Sequence, residues 1–372
     1  MEQSQQHAQT PSPDLLKAFV EYAQSTFIPA LSAFYKGGAA HVGTVCPMPD
    51  EMMPNHVGAF YITARPESPL LAKLLGGATT PITAMYVTMQ TAITVAAVLE
   101  GRTKFLSPQE RAAVLKGFKT QLKFVVHEAT HAVGDKNLDR FEDEAERTAR
   151  YHMNAWKESV TELSTQVFLN DIIKQAGLDA CDPEVLNVEP SDTGSYVGTV
   201  DATAEFVRGL SSMIPGTNFE TELKTLVEKG CGRAALEQLI GRALAANGVQ
   251  DPRVVTRLAG TVASSMEQLD STYKQTLSRL DRDHMMEARA AMAQLRSRGR
   301  LLGKQLVQTV DETIMNPQGP ASRAADPRQT LSVQDLRDLF EGRYGSLPER
   351  PLRPGQAAQG YTGILVHHGI VE

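Results

Sequence analysis

Several features that would place this chain quickly are scarce. Cysteine is one: Cys46, Cys181 and Cys231 are the only three in 372 residues. Odd in number and far apart, they form neither a disulfide framework nor a C-x-x-C metal pair. Aromatic residues make up 6% and there is one tryptophan, Trp156. Basic charge is not in excess. The formal net charge of −6 gives no reason to expect a nucleic-acid partner, which calls for a basic domain. Long apolar runs are missing too. The best, Ile82 to Leu99, is interrupted by Thr83, Thr88, Gln90, Thr91 and Thr94, so it reads as a buried helix with no transmembrane segment. Met1 to Asp14 is polar and Gln-rich, without the basic and apolar regions of a secretory leader. The expected location is cytoplasmic, or exported by a route that needs no N-terminal signal peptide.

What remains is the composition of a soluble globular protein, 42% hydrophobic and 22% charged. The length suits one large domain or two ordinary ones. Residues 1–13 and 315–372 read as disordered tails, the second Pro-, Arg- and Gln-rich with one short helix over Ser332 to Glu341. Between them the chain reads as mainly α with a small β-sheet. Residues 14–215 form a metal-bearing domain, and 216–314 an all-helical region.

In chain order, a first helix spans Pro13 to Tyr35, with Pro29 expected to kink or end it. Ala39 to Cys46 and Gly58 to Thr63 read as strands. Short and long helices follow at Ser68 to Gly76 and Ile82 to Glu100. Ser107-Pro108-Gln109-Glu110 is a capping box with proline at the first helical position. It opens a helix that runs to Val133 and stops at Gly134. After a polar loop and an acidic amphipathic stretch, a helix over Trp156 to Ala176 is followed by others over Tyr196 to Met213, Asn218 to Lys229 and Arg233 to Ala246. From Pro252 the apolar positions Leu258, Val262, Met266, Leu269, Tyr273 and Leu277 step by three and four, and the pattern continues to Val310. It reads as one long amphipathic helix that Gly299 and Gly303 interrupt.

The chemistry is concentrated in the capped helix, whose last two turns contain His127-Glu128-Ala129-Thr130-His131. Histidines four apart on a helix project from one face. Two imidazoles so placed can hold a Zn²⁺, and the glutamate between them suits a general base acting on water at the metal. A catalytic zinc needs a third protein ligand. Glu158 is one candidate, with Glu162 one turn on. One carboxylate can bind the metal while the other accepts a hydrogen bond from a ligating imidazole. Asn137, Asp135, Asp139, Glu142 and Glu146 are the alternatives, with the acidic run more simply a solvated face. Tyr196 reads as a packed tyrosine, or as a donor to an oxyanion.

The motif together with Trp156-Lys157-Glu158-Ser159-Val160-Thr161-Glu162-Leu163-Ser164-Thr165 resembles the gluzincin-type zinc metallopeptidases, in which an E-G-x-T-E-x-x-T segment lies downstream of H-E-x-x-H. Ser159 stands where that pattern has glycine. The resemblance covers about residues 110–215. It implies a zincin-like catalytic domain, Glu158 as third ligand and Glu162 as its supporting carboxylate. Residues 127–137 also resemble the metzincin pattern as far as Gly134, but Asn137 stands where that family has His or Asp. The function expected is zinc-dependent hydrolysis of peptide bonds in a peptide or protein substrate. The rival expectation is a helical interaction or assembly protein, or an exported effector. In that case residues 252–314 mediate self-association or partner docking, and the zinc site is accessory.

Overall fold

The computed structural model describes residues 13–36, 44–48, 59–64, 82–134, 153–191, 196–279 and 285–317. The protein is mainly helical with one small sheet. Its helices are α1 (Pro13–Tyr22), α2 (Ile28–Phe34), α3 (Met89–Leu99), α4 (Pro108–Gly134), α5 (Asn154–Gln175), α6 (Thr199–Met213), α7 (Phe219–Glu228), α8 (Arg233–Ala246), α9 (Pro252–Arg279) and α10 (Met285–Met315). Strands β1 (Thr44–Met48), β2 (Ala59–Ala64) and β3 (Ile82–Thr88) lie in the order β1-β3-β2. The described residues fall into two compact units, one from Met1–Val133 and Phe168–Thr193, the other from Gly134–Val167 and Gly194–Arg350. Helix α5 runs through the division and contributes to each. No helix among the described residues is long and apolar enough to cross a membrane.

In the first unit, β3 is central. It pairs parallel with β1, Val45 opposite Met85, and antiparallel with β2, Tyr61 opposite Met85. Met85 and Val87 are buried, two residues apart on one face. This strand corrects the expectation of one helix over Ile82 to Glu100. Ile82, Thr83, Tyr86, Val87 and Thr88 are β-branched or aromatic and suit a strand. The threonines that appeared to interrupt a helix mark its start: Thr88 is extended (φ −63°, ψ 146°), and its Oγ1 accepts from the Thr91 N–H at 3.0 Å, capping α3.

Pro29 does not end the first helical segment. A π-turn over Ala23–Phe27 joins α1 to α2, and the Ile28 N–H reaches back to the Ala23 carbonyl. A proline removes one ladder hydrogen bond, and a π-turn re-sorts the carbonyls ahead of it. Leu15, Phe19, Phe27, Leu31 and Tyr35 from this segment are buried. Phe34 and Tyr35 pack on Phe168 near the middle of α5, with ring centroids 5.5 and 6.3 Å apart.

In the second unit, α6 and α10 make the most intimate packing. The expected long helix is two, α9 and α10, and both pack on α6. Gly299 and Gly303 do not interrupt it; they lie inside α10. A Cβ on Gly299 would fall on the Gly198 carbonyl oxygen, and one on Gly303 would come within 2.5 Å of the Ala202 carbonyl oxygen. Glycine is required there because two backbones touch. Gly209 repeats the arrangement from the other side, where a Cβ would strike the Val307 side chain. The remaining caps follow the sequence reading. Asn218 accepts from the Thr221 N–H at 2.8 Å, and Gly101 and Gly177 close helices in the left-handed region at φ 67° and 69°.

The expected helices at 68–76 and 332–341, the acidic stretch at 140–152 and the tails, apart from residues 13 and 315–317, lie outside the described residues, as do Asp135, Asn137, Asp139, Glu142 and Glu146.

Candidate metal centre

Helix α4 forms as its cap dictates. Glu110 Oε2 accepts from the Ser107 N–H at 3.2 Å, and Ser107 Oγ accepts from the Glu110 N–H at 3.4 Å. This is the reciprocal capping box. From Val114 to Val133 the helix is buried over nearly its whole circumference. Several of its buried polar side chains tolerate that burial through hydrogen bonds. Thr120 Oγ1 and Thr130 Oγ1 donate to the Lys116 and Val126 carbonyls, both at 2.7 Å. The Lys119 ammonium reaches the Val188 carbonyl at 2.6 Å, and burial lowers its pKa.

A strap made of residues 178–191 runs along α4 in the same direction as the helix. Its first anchor is Asp182, fully buried, which takes hydrogen bonds from Thr103 Oγ1 at 2.9 Å, from Arg111 Nε at 2.8 Å and from Arg111 Nη2. Burial alone would raise the pKa of this carboxylate. The Arg111 and Thr103 hydrogen bonds outweigh it and hold the pKa below its ordinary value. Further along, Leu186 and Val188 meet Lys119, and the Ser191 N–H donates to Thr120 Oγ1 at 2.8 Å. The segment has little regular structure, only short 3-10 turns at Leu178–Ala180 and Pro183–Leu186. Its anchors lie 67–79 positions from their partners, so no local pattern announces them.

At the far end of the same helix, His127 Nε2 and His131 Nε2 are 3.2 Å apart, with the rings edge to face at 76°. His127 is buried, and Glu128 and His131 are half-buried. A metal with bonds of 2.0–2.1 Å to nitrogen in tetrahedral geometry separates its ligands by about 3.3 Å. The two imidazoles are spaced as that requires.

Helix α5 supplies the carboxylates. Residues 159–165 are buried without exception. Ser159 Oγ donates to the Ala155 carbonyl at 2.5 Å, Ser164 Oγ and Thr165 Oγ1 donate to the Thr161 carbonyl, both at 2.9 Å, and Thr161 Oγ1 meets Cys231 Sγ at 4.0 Å. The serine that replaces the glycine of the gluzincin pattern is therefore a buried, satisfied helix residue. Glu158 is half-buried, and with His127 and His131 it makes a group whose ligand atoms all lie within 4.8 Å of one another. This His-His-Glu group can hold a metal ion. Among the described residues it is the one such group. Glu162 is 4% exposed, and its Oε1 accepts from Gln166 Nε2 at 2.8 Å. Tyr196 stands just before α6 in the left-handed region (φ 55°), where its carbonyl accepts from Thr199 Oγ1 at 2.9 Å and from the Val200 N–H at 3.1 Å.

No family model, no curated protein and no solved structure matches the chain. What can be said of its chemistry rests on the site.

Proposed function

We propose that this protein is a zinc-dependent metallopeptidase in which His127, His131 and Glu158 hold the metal and Glu128 is the general base. The observation that carries the reading is the convergence of two imidazoles and one carboxylate within 4.8 Å, with a second carboxylate between the histidines in sequence. A set of two His and one Glu is a known donor set for catalytic zinc, which, when bound, supplies a Lewis acid to a carbonyl and acidifies water. Glu128 would serve as the base that accepts a proton from water there and passes it to the leaving amine. Glu162, one turn past Glu158, orients a ligating imidazole through a hydrogen bond to its other nitrogen. Tyr196 is the candidate donor to the developing oxyanion. An extended substrate backbone can add to an outer strand of a small sheet, and β2 is the strand this reading assigns to that role.

The test uses the full chain loaded with zinc and a library of internally quenched peptides. The wild type cleaves members of the library. Glu128→Ala keeps stoichiometric zinc and loses about 10²–10⁴-fold in kcat, whereas His131→Ala loses both zinc and cleavage. A zinc-free, elongated oligomer without hydrolytic activity would contradict the proposal and favour assembly through residues 252–314.

A further inference from the structure

Helix α5 carries the third ligand, yet its own sequence provides no acidic residue in the first turn. The first N–H groups of a helix have no partner within it. Here the Ala155 N–H, in the first turn, donates to Glu267 Oε1 at 2.8 Å. Glu267 lies 112 positions away, on α9. A carboxylate at a helix N-terminus makes a charge-assisted hydrogen bond to a backbone donor and also meets the positive end of the helix dipole. Ala155 and Glu158 are three residues apart and so belong to the same turn. Beside Ala155, Trp156 is fully buried and packs edge to face on Phe206, with centroids 6.0 Å apart. The turn that presents Glu158 is thus fixed by a packed tryptophan and by one carboxylate from a distant helix.

We infer that Glu267 is a positioning residue for the metal centre: by holding the first turn of α5 it fixes the Glu158 carboxylate where the two imidazoles converge. The inference rests on the metal reading above. It adds a dependence of that site on α9, a helix that contributes no ligand. A ligand-orienting partner of this kind typically governs metal affinity by 10–100-fold.

The experiment is a competition titration of zinc against a chromophoric chelator, on the full chain and four variants. Glu267→Ala should weaken zinc binding by about 10–100-fold. Glu267→Gln, which keeps an acceptor oxygen, should stay within a few-fold of the wild type. In the Glu158→Ala background, Glu267→Ala should cause no further loss, because the carboxylate it positions is gone. That non-additivity separates positioning from general destabilisation. The emission of Trp156, the single tryptophan, reports in the same samples that the start of α5 remains folded. Should Glu267→Ala not fold, Glu267→Leu, which keeps an apolar stem and removes the acceptor, takes its place. Tight zinc binding by Glu267→Ala, or an equal loss in both backgrounds, overturns the inference while leaving the metal site standing. A wild type that takes up no zinc overturns the site itself, and this inference with it.

Discussion

Two histidine nitrogens 3.2 Å apart cannot both carry a proton toward one another without repulsion. Either one ring donates to the other or a cation occupies the position both address. The half-buried Glu158 completes a group of donor atoms within 4.8 Å of one another that could hold such a cation. A different balance holds at Asp182, where Arg111 and Thr103 keep the buried carboxylate ionised. With its folded-state pKa below the unfolded value, this group contributes stability that is complete above about pH 4 and lost as pH falls through the folded-state value. Asp182→Asn should therefore destabilise the protein by about 1–3 kcal/mol at neutral pH, and the gap to the wild type should narrow below about pH 4. Urea midpoints of both proteins at pH 7 and pH 3 check this. An equal gap at the two pH values would show that Asp182 does not titrate as described.

At the scale of elements, α4 was legible because its signals are local: a capping box at Ser107 and Glu110, apolar residues at helical spacing, and a glycine at the end. The strand β3 was not. A seven-residue strand followed directly by the eleven-residue α3 reads as one apolar run, and only the pairing with β1 and β2 decides where the period changes. Gly299 and Gly303 carried a signal that was misread. Two glycines four apart in a helix can mean a break or a seam, and the choice depends on whether another backbone comes close. Here α6 does. Gly303→Ala should accordingly cost about 1–3 kcal/mol through overpacking, where alanine in an exposed helix would be the better residue by roughly 1 kcal/mol. Thermal or urea unfolding of the variant gives the sign directly. A stabilised variant would mean that α6 and α10 do not approach as closely as described. The acid-to-metal assignment shows the same division. His127 and His131 follow from one helix and were readable. Glu158 lies 27 residues beyond His131 on another helix and needed the resemblance or the fold to single it out.

For the whole molecule, the metal reading makes stability depend on an ion. A group that binds the folded chain and not the unfolded one stabilises by RT ln(1 + [L]/Kd), about 2.7 kcal/mol at a hundredfold excess over Kd. Zinc should therefore raise the melting temperature, a chelator should lower it, and His127→Ala should abolish the difference while keeping the rest of the melting profile. The most direct test of the central claim is X-ray absorption at the zinc edge on the full chain loaded with one equivalent of zinc. The account predicts a first shell of two imidazole nitrogens and carboxylate oxygen at about 2.0–2.2 Å, with one imidazole lost in His131→Ala. A shell of oxygen alone, a shell containing sulfur, or a spectrum unchanged by His131→Ala would contradict it.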